Sequence, residues 1–330
     1  MSRLIELRTD SLVAVVDPGY GADVLSLTVL PDGHELLFSS PWRERADAIV
    51  AGGPGCAPDP VSATLERYRG GWQTLCPNAG APRSVHGAPL GFHGEVSRSA
   101  WTVRQVDAQS AALRLDLVSL PVRIERAVSV AGSSLTLTDR LTNLSDQELE
   151  FDYSQHPAFG GALLDGECVI ETGARRFVSD PETTGVLPPG QACTWPLART
   201  TSAEVLDLTH LPGPGARQMV FGWLEDFEEH WYSITNPGRR LSVRVEWDGT
   251  HLPYAWFWQE LNSSVDYPWF RRARVQAIEP ASTQTSGPDR RSVLRLGPGA
   301  DTTLRMSVAV ATGPGSAPSG PGPDSPREGA

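Results

Sequence analysis

Three short segments hold residue types suited to moving protons on a small polar ligand. In FDYSQHPAFGG (151–161), His156 precedes a proline, whose ring disfavours the α region for the residue before it and aims the histidine rigidly out of the end of a strand. A neutral imidazole titrating near physiological pH is a natural proton donor or acceptor. In RVQAIEPASTQTSG (274–287), Glu279 ends an apolar run and again precedes a proline. A carboxylate partly buried at a strand end has its charged form disfavoured and becomes a better base, although alternation leaves the facing of Glu279 open. In GGWQTLCPNAGAPRSVHGAPLGFHGEVSRSAW (70–101), Asn78, His86, His93 and Arg98 sit among glycines in a stretch too broken for regular structure. Loops over a rigid scaffold are where binding residues concentrate. Taken singly, each has an ordinary alternative: a turn histidine at 156, a surface glutamate at 279, structural hydrogen bonders at 86 and 93.

A fourth segment, PYAWFWQEL (253–261), is dense in aromatics. Alternation puts Trp256 and Trp258 on one face with Tyr254, and Phe257 on the other. Core packing is the default for such residues, but the apolar C–H face of a sugar ring stacks on indole, which makes Trp258 a candidate contact. The acidic run 225–229, ending in His230 and Trp231, reads as a solvated loop or a site edge.

Other chemistries lack their residues. The 28 basic side chains are all arginine, so Schiff-base, pyridoxal-lysine and P-loop mechanisms have no lysine to use. The seven histidines form no HxH or HExxH arrangement, the four cysteines are far apart with no CxxC pair, and no GxSxG, GxGxxG or GxxxxGK stretch occurs. No metal and no cofactor is expected, and the thiols read as reduced. A net charge of −11 argues against a nucleic-acid partner, with the run Arg271, Arg272, Arg274 read as a solvated strand face or a local anion site. No run approaches the roughly 20 apolar residues of a membrane span, and the N-terminus lacks signal-peptide regions, so a cytoplasmic protein is expected.

The elements that must position these groups are strands. LVAVV, AALRLDLVSL, VRIERAVSVAG, SLTLTDRLTNLS, LSVRVEWDG and TTLRMSVAVAT alternate with period 2 and are separated by tight-turn signals, while ATLERYRGGW is the nearest candidate for a helical turn. The reading is an all-β fold, a large antiparallel β-sandwich, as one domain over 1–310. Residues 311–330 are Pro/Gly/Ser-rich without large apolar side chains and read as a disordered tail, and 51–60 reads as an irregular loop.

In order and spacing, the opening VVDPGYGADVLSLTVLPDGHELLF, the GG…P segment, the HG…W segment, the HP histidine and the EP glutamate resemble the aldose 1-epimerase, or galactose mutarotase-like, family over roughly residues 4–306. The resemblance implies a supersandwich fold and an isomerase that interconverts the α and β anomers of an aldose. It implies His156 as general acid on the ring oxygen and Glu279 as general base on the anomeric hydroxyl. It further implies sugar contacts from His93, eight residues before Trp101, with His86 in VHG as second choice, and from Asn78. This chain departs from the family's patterns at SQHPAFGG, at HGEVSR, where Arg98 falls one residue late, and at EEHW, where Glu229 is the best match to a sugar-binding aspartate. The implied partner is a small-molecule sugar, with a monomer or homodimer as the assembly. Two rivals use the same scaffold: a non-catalytic sugar-binding protein, and a lyase or glycosidase with two carboxylates, for which no second acidic partner stands out.

Overall fold

Alternation dictates the architecture. Strands Val122–Ala131 and Ser134–Asn143 show buried side chains at every second position and pair in register around a two-residue turn in which Gly132 takes φ +54°. Only a residue tolerant of positive φ suits that hairpin turn. A computed structural model describes residues 4–183 and 185–313.

Antiparallel pairing runs unbroken from Ser110–Asp116 through Val122–Ala131, Ser134–Asn143, Asp301–Thr312 and Leu241–Trp247 to the 19-residue strand Gln218–Asn236. That long strand then hands the sheet on through Tyr254–Leu261, Arg274–Ala281, Ser154–Phe159, Trp72–Leu75 and Asp23–Val29 to Leu12–Asp17. Its C-terminal half pairs with Leu241–Trp247 and its N-terminal half with Tyr254–Leu261. Between the halves, Phe227 lies opposite Ala174 and Tyr232 opposite Thr172, so residues 228–231 bulge against Gly173 alone. A bulge bends and twists its strand. Here it lets one sheet fold over on itself, and the facing apolar sides share a continuous core that includes Leu12, Ile124, Phe151, Phe177, Tyr232 and Phe257. The all-β sandwich is therefore the observed fold.

Among the described residues, two α-helices interrupt the strands. α1 (Arg43–Val50) has no counterpart in the sequence reading, and α2 (Pro60–Glu66) begins just upstream of the expected helical turn. Asp59 caps α2, its Oδ1 accepting the N–H groups of Val61 and Ser62 at 2.9 Å each, and Pro60 at the first helical position has no N–H to leave unpaired. Strand Asp301–Thr312 runs two residues past the expected domain end at 310, and the rest of the expected tail, from 314, lies outside the described residues. The four cysteines are free thiols, and no helix among the described residues is long and apolar enough to cross a membrane.

Candidate active site

Register builds the site. Strand Ser154–Phe159 is central, paired with Trp72–Leu75 on one side and Arg274–Ala281 on the other. Pro157 and Pro280 cannot donate to a ladder. Pairing to Arg274–Ala281 is accordingly made at Ser154 with Ala281, Ala158 with Ala277 and Phe159 with Gln276, and the register skips the residues between. His156 and Glu279 face each other in that gap, each directly before one of the prolines. Both therefore lie within central strands and are buried, rather than projecting from strand ends as the sequence predicts. The same row continues sideways: Gln73 lies opposite His156, Trp256 opposite Glu279, and the pairing of Val24 with Trp72 sets Asp23 opposite Gln73. Cross-strand neighbours share a face, so the row points one way.

That face floors a cavity of about 330 Å³ lined by Gln73, His156, Glu279 and Trp256 below and by Tyr68, Phe92, His93, Trp258 and Trp269 around them. His156 Nδ1 is 2.6 Å from Glu279 Oε2, an ion-pair distance, although no well-aligned hydrogen bond forms at that nitrogen. Nε2, across the ring, is 3.5 Å from the Tyr68 hydroxyl. Trp258 stacks on the imidazole with centroids 5.7 Å apart and planes at 18°, and Trp269 lies 5.3 Å beyond it. Indole faces beside a buried imidazole and carboxylate suit a ring with one apolar face.

His93 reaches the cavity from the broken segment, held at φ +60°, a conformation in which histidine is enriched over most residues. Its Nδ1 lies 2.7 Å from the Ala79 carbonyl, which can only accept. The proton is thus on Nδ1, and Nε2 keeps a lone pair. Burial first, and then the charge of His156, pull the His93 pKa down to about 3, so the ring is a neutral acceptor at ordinary pH. Burial, reinforced by Glu279, holds the Tyr68 hydroxyl well above its usual pKa, so Tyr68 stays an O–H donor. Burial likewise raises the Asp23 carboxyl to about 7, against the opposing pull of Arg69.

Of the residues predicted from sequence, His156, Glu279, His93, Arg98 and Trp258 line this one cavity. Three others do not. The Asn78 amide is fully buried and donates to the carbonyls of Gly80, Ala81 and Gly91, while its oxygen accepts from Arg290, so it braces the loop that carries His93. His86 sits exposed at the tip of the hairpin formed by Arg83–Val85 and Ala88–Leu90, accepting the Glu150 N–H at 3.1 Å. Glu229 is exposed within the 228–231 bulge. The run read as a strand face or anion site splits: Arg271 and Arg272 are exposed in a turn, and Arg274 donates to the carbonyls of Leu164, Gly166, Pro212 and Gly213. Sequence reasoning missed Tyr68, Gln73 and Trp269: strand register places Gln73 beside His156, whereas Tyr68 and Trp269 reach the cavity from the irregular segments after α2 and before Arg274–Ala281. Among the described residues, no three His, Cys, Asp or Glu side chains converge as a metal would require.

No family model and no curated protein matches the chain. Solved structures do. The Slr1438 protein from Synechocystis sp. PCC 6803 superposes with a TM-score of 0.68 at 18% identity, covering 95% of this chain and 97% of that one. A provisionally assigned aldose 1-epimerase from Escherichia coli K12 gives 0.68 at 18% identity, covering 94% and 99%. A galactose mutarotase-like protein from Lactobacillus casei gives 0.65 at 16%, covering 94% and 100%. Across almost its whole described length, this chain has the fold of the galactose mutarotase-like proteins.

Proposed function

We propose that the chain is an aldose 1-epimerase-like isomerase, with Glu279 and His156 as the acid/base pair. The observation that carries this reading is the facing of the two across a proline-interrupted ladder, 2.6 Å apart on the floor of an aromatic-walled cavity. Glu279 takes the proton of the anomeric hydroxyl while His156 protonates the ring oxygen, and the ring C–O bond breaks to give the aldehyde. Rotation about the first carbon–carbon bond exposes the other carbonyl face, and the reverse transfers close the ring to the other anomer. Each residue ends in the protonation state in which it began, so the cycle needs a positioned acid and base and no redox partner. Neutral His93 offers Nε2 to a sugar hydroxyl, and Trp258 and Trp269 give the ring an apolar surface.

Arg67 and Arg98 also line the cavity, and neither has an ion-pair partner among the described residues. An aldose bearing an anionic group would meet two guanidinium donors there. The test is the approach of freshly dissolved α-aldoses to anomeric equilibrium, followed by polarimetry or NMR, over neutral hexoses, hexose phosphates and uronates. Acceleration of at least one sugar is expected. Uncatalysed rates across the panel, with sugar binding intact, would replace this reading with a non-catalytic binding protein.

A further inference from the structure

Beyond the acid and base, the row of side chains across the sheet continues into two residues that the proton transfers leave unused. Gln73 is a cross-strand neighbour of His156, is 8% exposed and lines the cavity. Behind it, Asp23 is 1% exposed, and its Oδ2 accepts from Gln73 Nε2 at 3.2 Å. Among the described residues, its Oδ1 has no hydrogen-bond partner. The nearest cation, Arg69, stands 3.7 Å away and is already engaged with Asp17 at 2.6 Å. Leaving a buried carboxylate so poorly matched is costly. What the arrangement supplies is orientation. An ionised carboxylate only accepts, so it fixes the Gln73 amide with nitrogen towards Asp23 and the carbonyl oxygen Oε1 turned away from it.

Resting on the mutarotase reading, we infer that Gln73 contacts the sugar through Oε1 as a hydroxyl acceptor beside His156, and that Asp23 is the positioning residue that sets this orientation. Both His93 Nε2 and Gln73 Oε1 then accept, so the site selects a sugar with two hydroxyl donors near His156. When protonated, Asp23 can donate to Gln73 Oε1, the amide turns over, and an N–H faces the cavity instead. The groups around Asp23 that bear on its charge are Asp17 on the neighbouring strand, Arg69, Arg126 and the Tyr20 hydroxyl. Burial leaves the carboxyl titrating at about 7, within reach of ordinary buffers.

The test combines sugar affinity by ligand-observed NMR with steady-state mutarotation from pH 6 to 8.5, on the wild type, Gln73→Met and Asp23→Asn. Loss of one neutral hydrogen bond corresponds to roughly a 3- to 10-fold weaker affinity. Gln73→Met is expected to raise Kd and KM by that factor with kcat changed less. In the wild type, affinity is expected to fall as the pH drops through about 7, and Asp23→Asn is expected to flatten that dependence while folding at least as stably at pH 8, where the native carboxylate is charged and buried. A purely structural Asp23 would move stability without moving the pH profile of Kd. If Gln73→Met binds sugars as the wild type does, the contact is overturned; should that variant fail to fold, an unaltered pH profile of Kd in Asp23→Asn overturns the inference by itself. Because Kd is read without turnover, an inactive but sugar-binding wild type would count against the mutarotase reading and not against Gln73.

Discussion

From Tyr153 to His156 the backbone alternates between two polar environments. On the core side, Asp139 accepts from Arg126 at 2.8 and 2.6 Å and from the Tyr153 hydroxyl at 2.7 Å, while Gln155 donates to Tyr153 and accepts from Trp72 at 2.5 Å and Thr74 at 3.2 Å. Each of these side chains has its partners. On the cavity side, His156 has one short contact and one long one, and no donor among the described residues reaches Glu279 Oε1. Both faces carry an ionisable residue, but only one retains hydrogen-bonding capacity that a ligand could satisfy. A saturated buried network fixes the backbone, whereas an unsaturated one facing a cavity is able to bind and to react. The core-side network is what holds His156 opposite Glu279.

The comparison can be broken from either face. The largest expected effect is at Glu279→Gln, which keeps shape but removes the proposed base: mutarotation should slow by about 10²- to 10⁴-fold, with sugar affinity within a few-fold of wild type. Normal turnover in that variant would assign the base elsewhere. On the core side, Asp139→Asn leaves the Arg126 guanidinium buried without its counter-charge, and denaturant unfolding should report a loss of about 3 to 5 kcal/mol. A loss below about 1 kcal/mol would mean that the network does not hold the strand.

The sandwich was legible because alternation is strict where one face is buried, as in Val122–Ala131 and Ser134–Asn143. His156 and Glu279 were legible for a related reason, since each precedes a proline that marks an interrupted ladder. Their location inside central strands was not, because a single X-Pro step reads equally as a strand end. α1 was invisible: RERADAIV is only 8 residues, its first-turn acid is not matched by a capping side chain, and it follows a tryptophan. Gln73 carries no local mark of function, because the register between distant strands makes it part of a site, and Tyr68 and Trp269 reach the cavity from irregular segments that no local pattern marks. Asn78 shows the converse. It has the right type in the right segment, yet three carbonyls and Arg290 saturate its amide.

The smallest expected effects discriminate most sharply between residues that look alike in sequence. His86 and His93 both precede a glycine and both adopt positive φ, at +49° and +60°. What separates them is where their free nitrogen goes. The His86 Nε2 lone pair is occupied by the Glu150 N–H at an exposed hairpin tip, whereas the Ala79 carbonyl fixes the His93 proton on Nδ1 and leaves Nε2 for a ligand in the cavity. His93→Ala should therefore weaken sugar affinity roughly 3- to 10-fold by deleting one acceptor. His86→Ala and Glu229→Ala alter exposed side chains away from the cavity and should stay within about 0.5 kcal/mol in stability and within about 2-fold in affinity. Since His93 is already neutral throughout, its loss should lower affinity by the same factor at pH 5 and at pH 8. A His93 effect that grows as the pH falls would show instead that the ring is charged when sugar binds, and the acceptor role would pass to another residue.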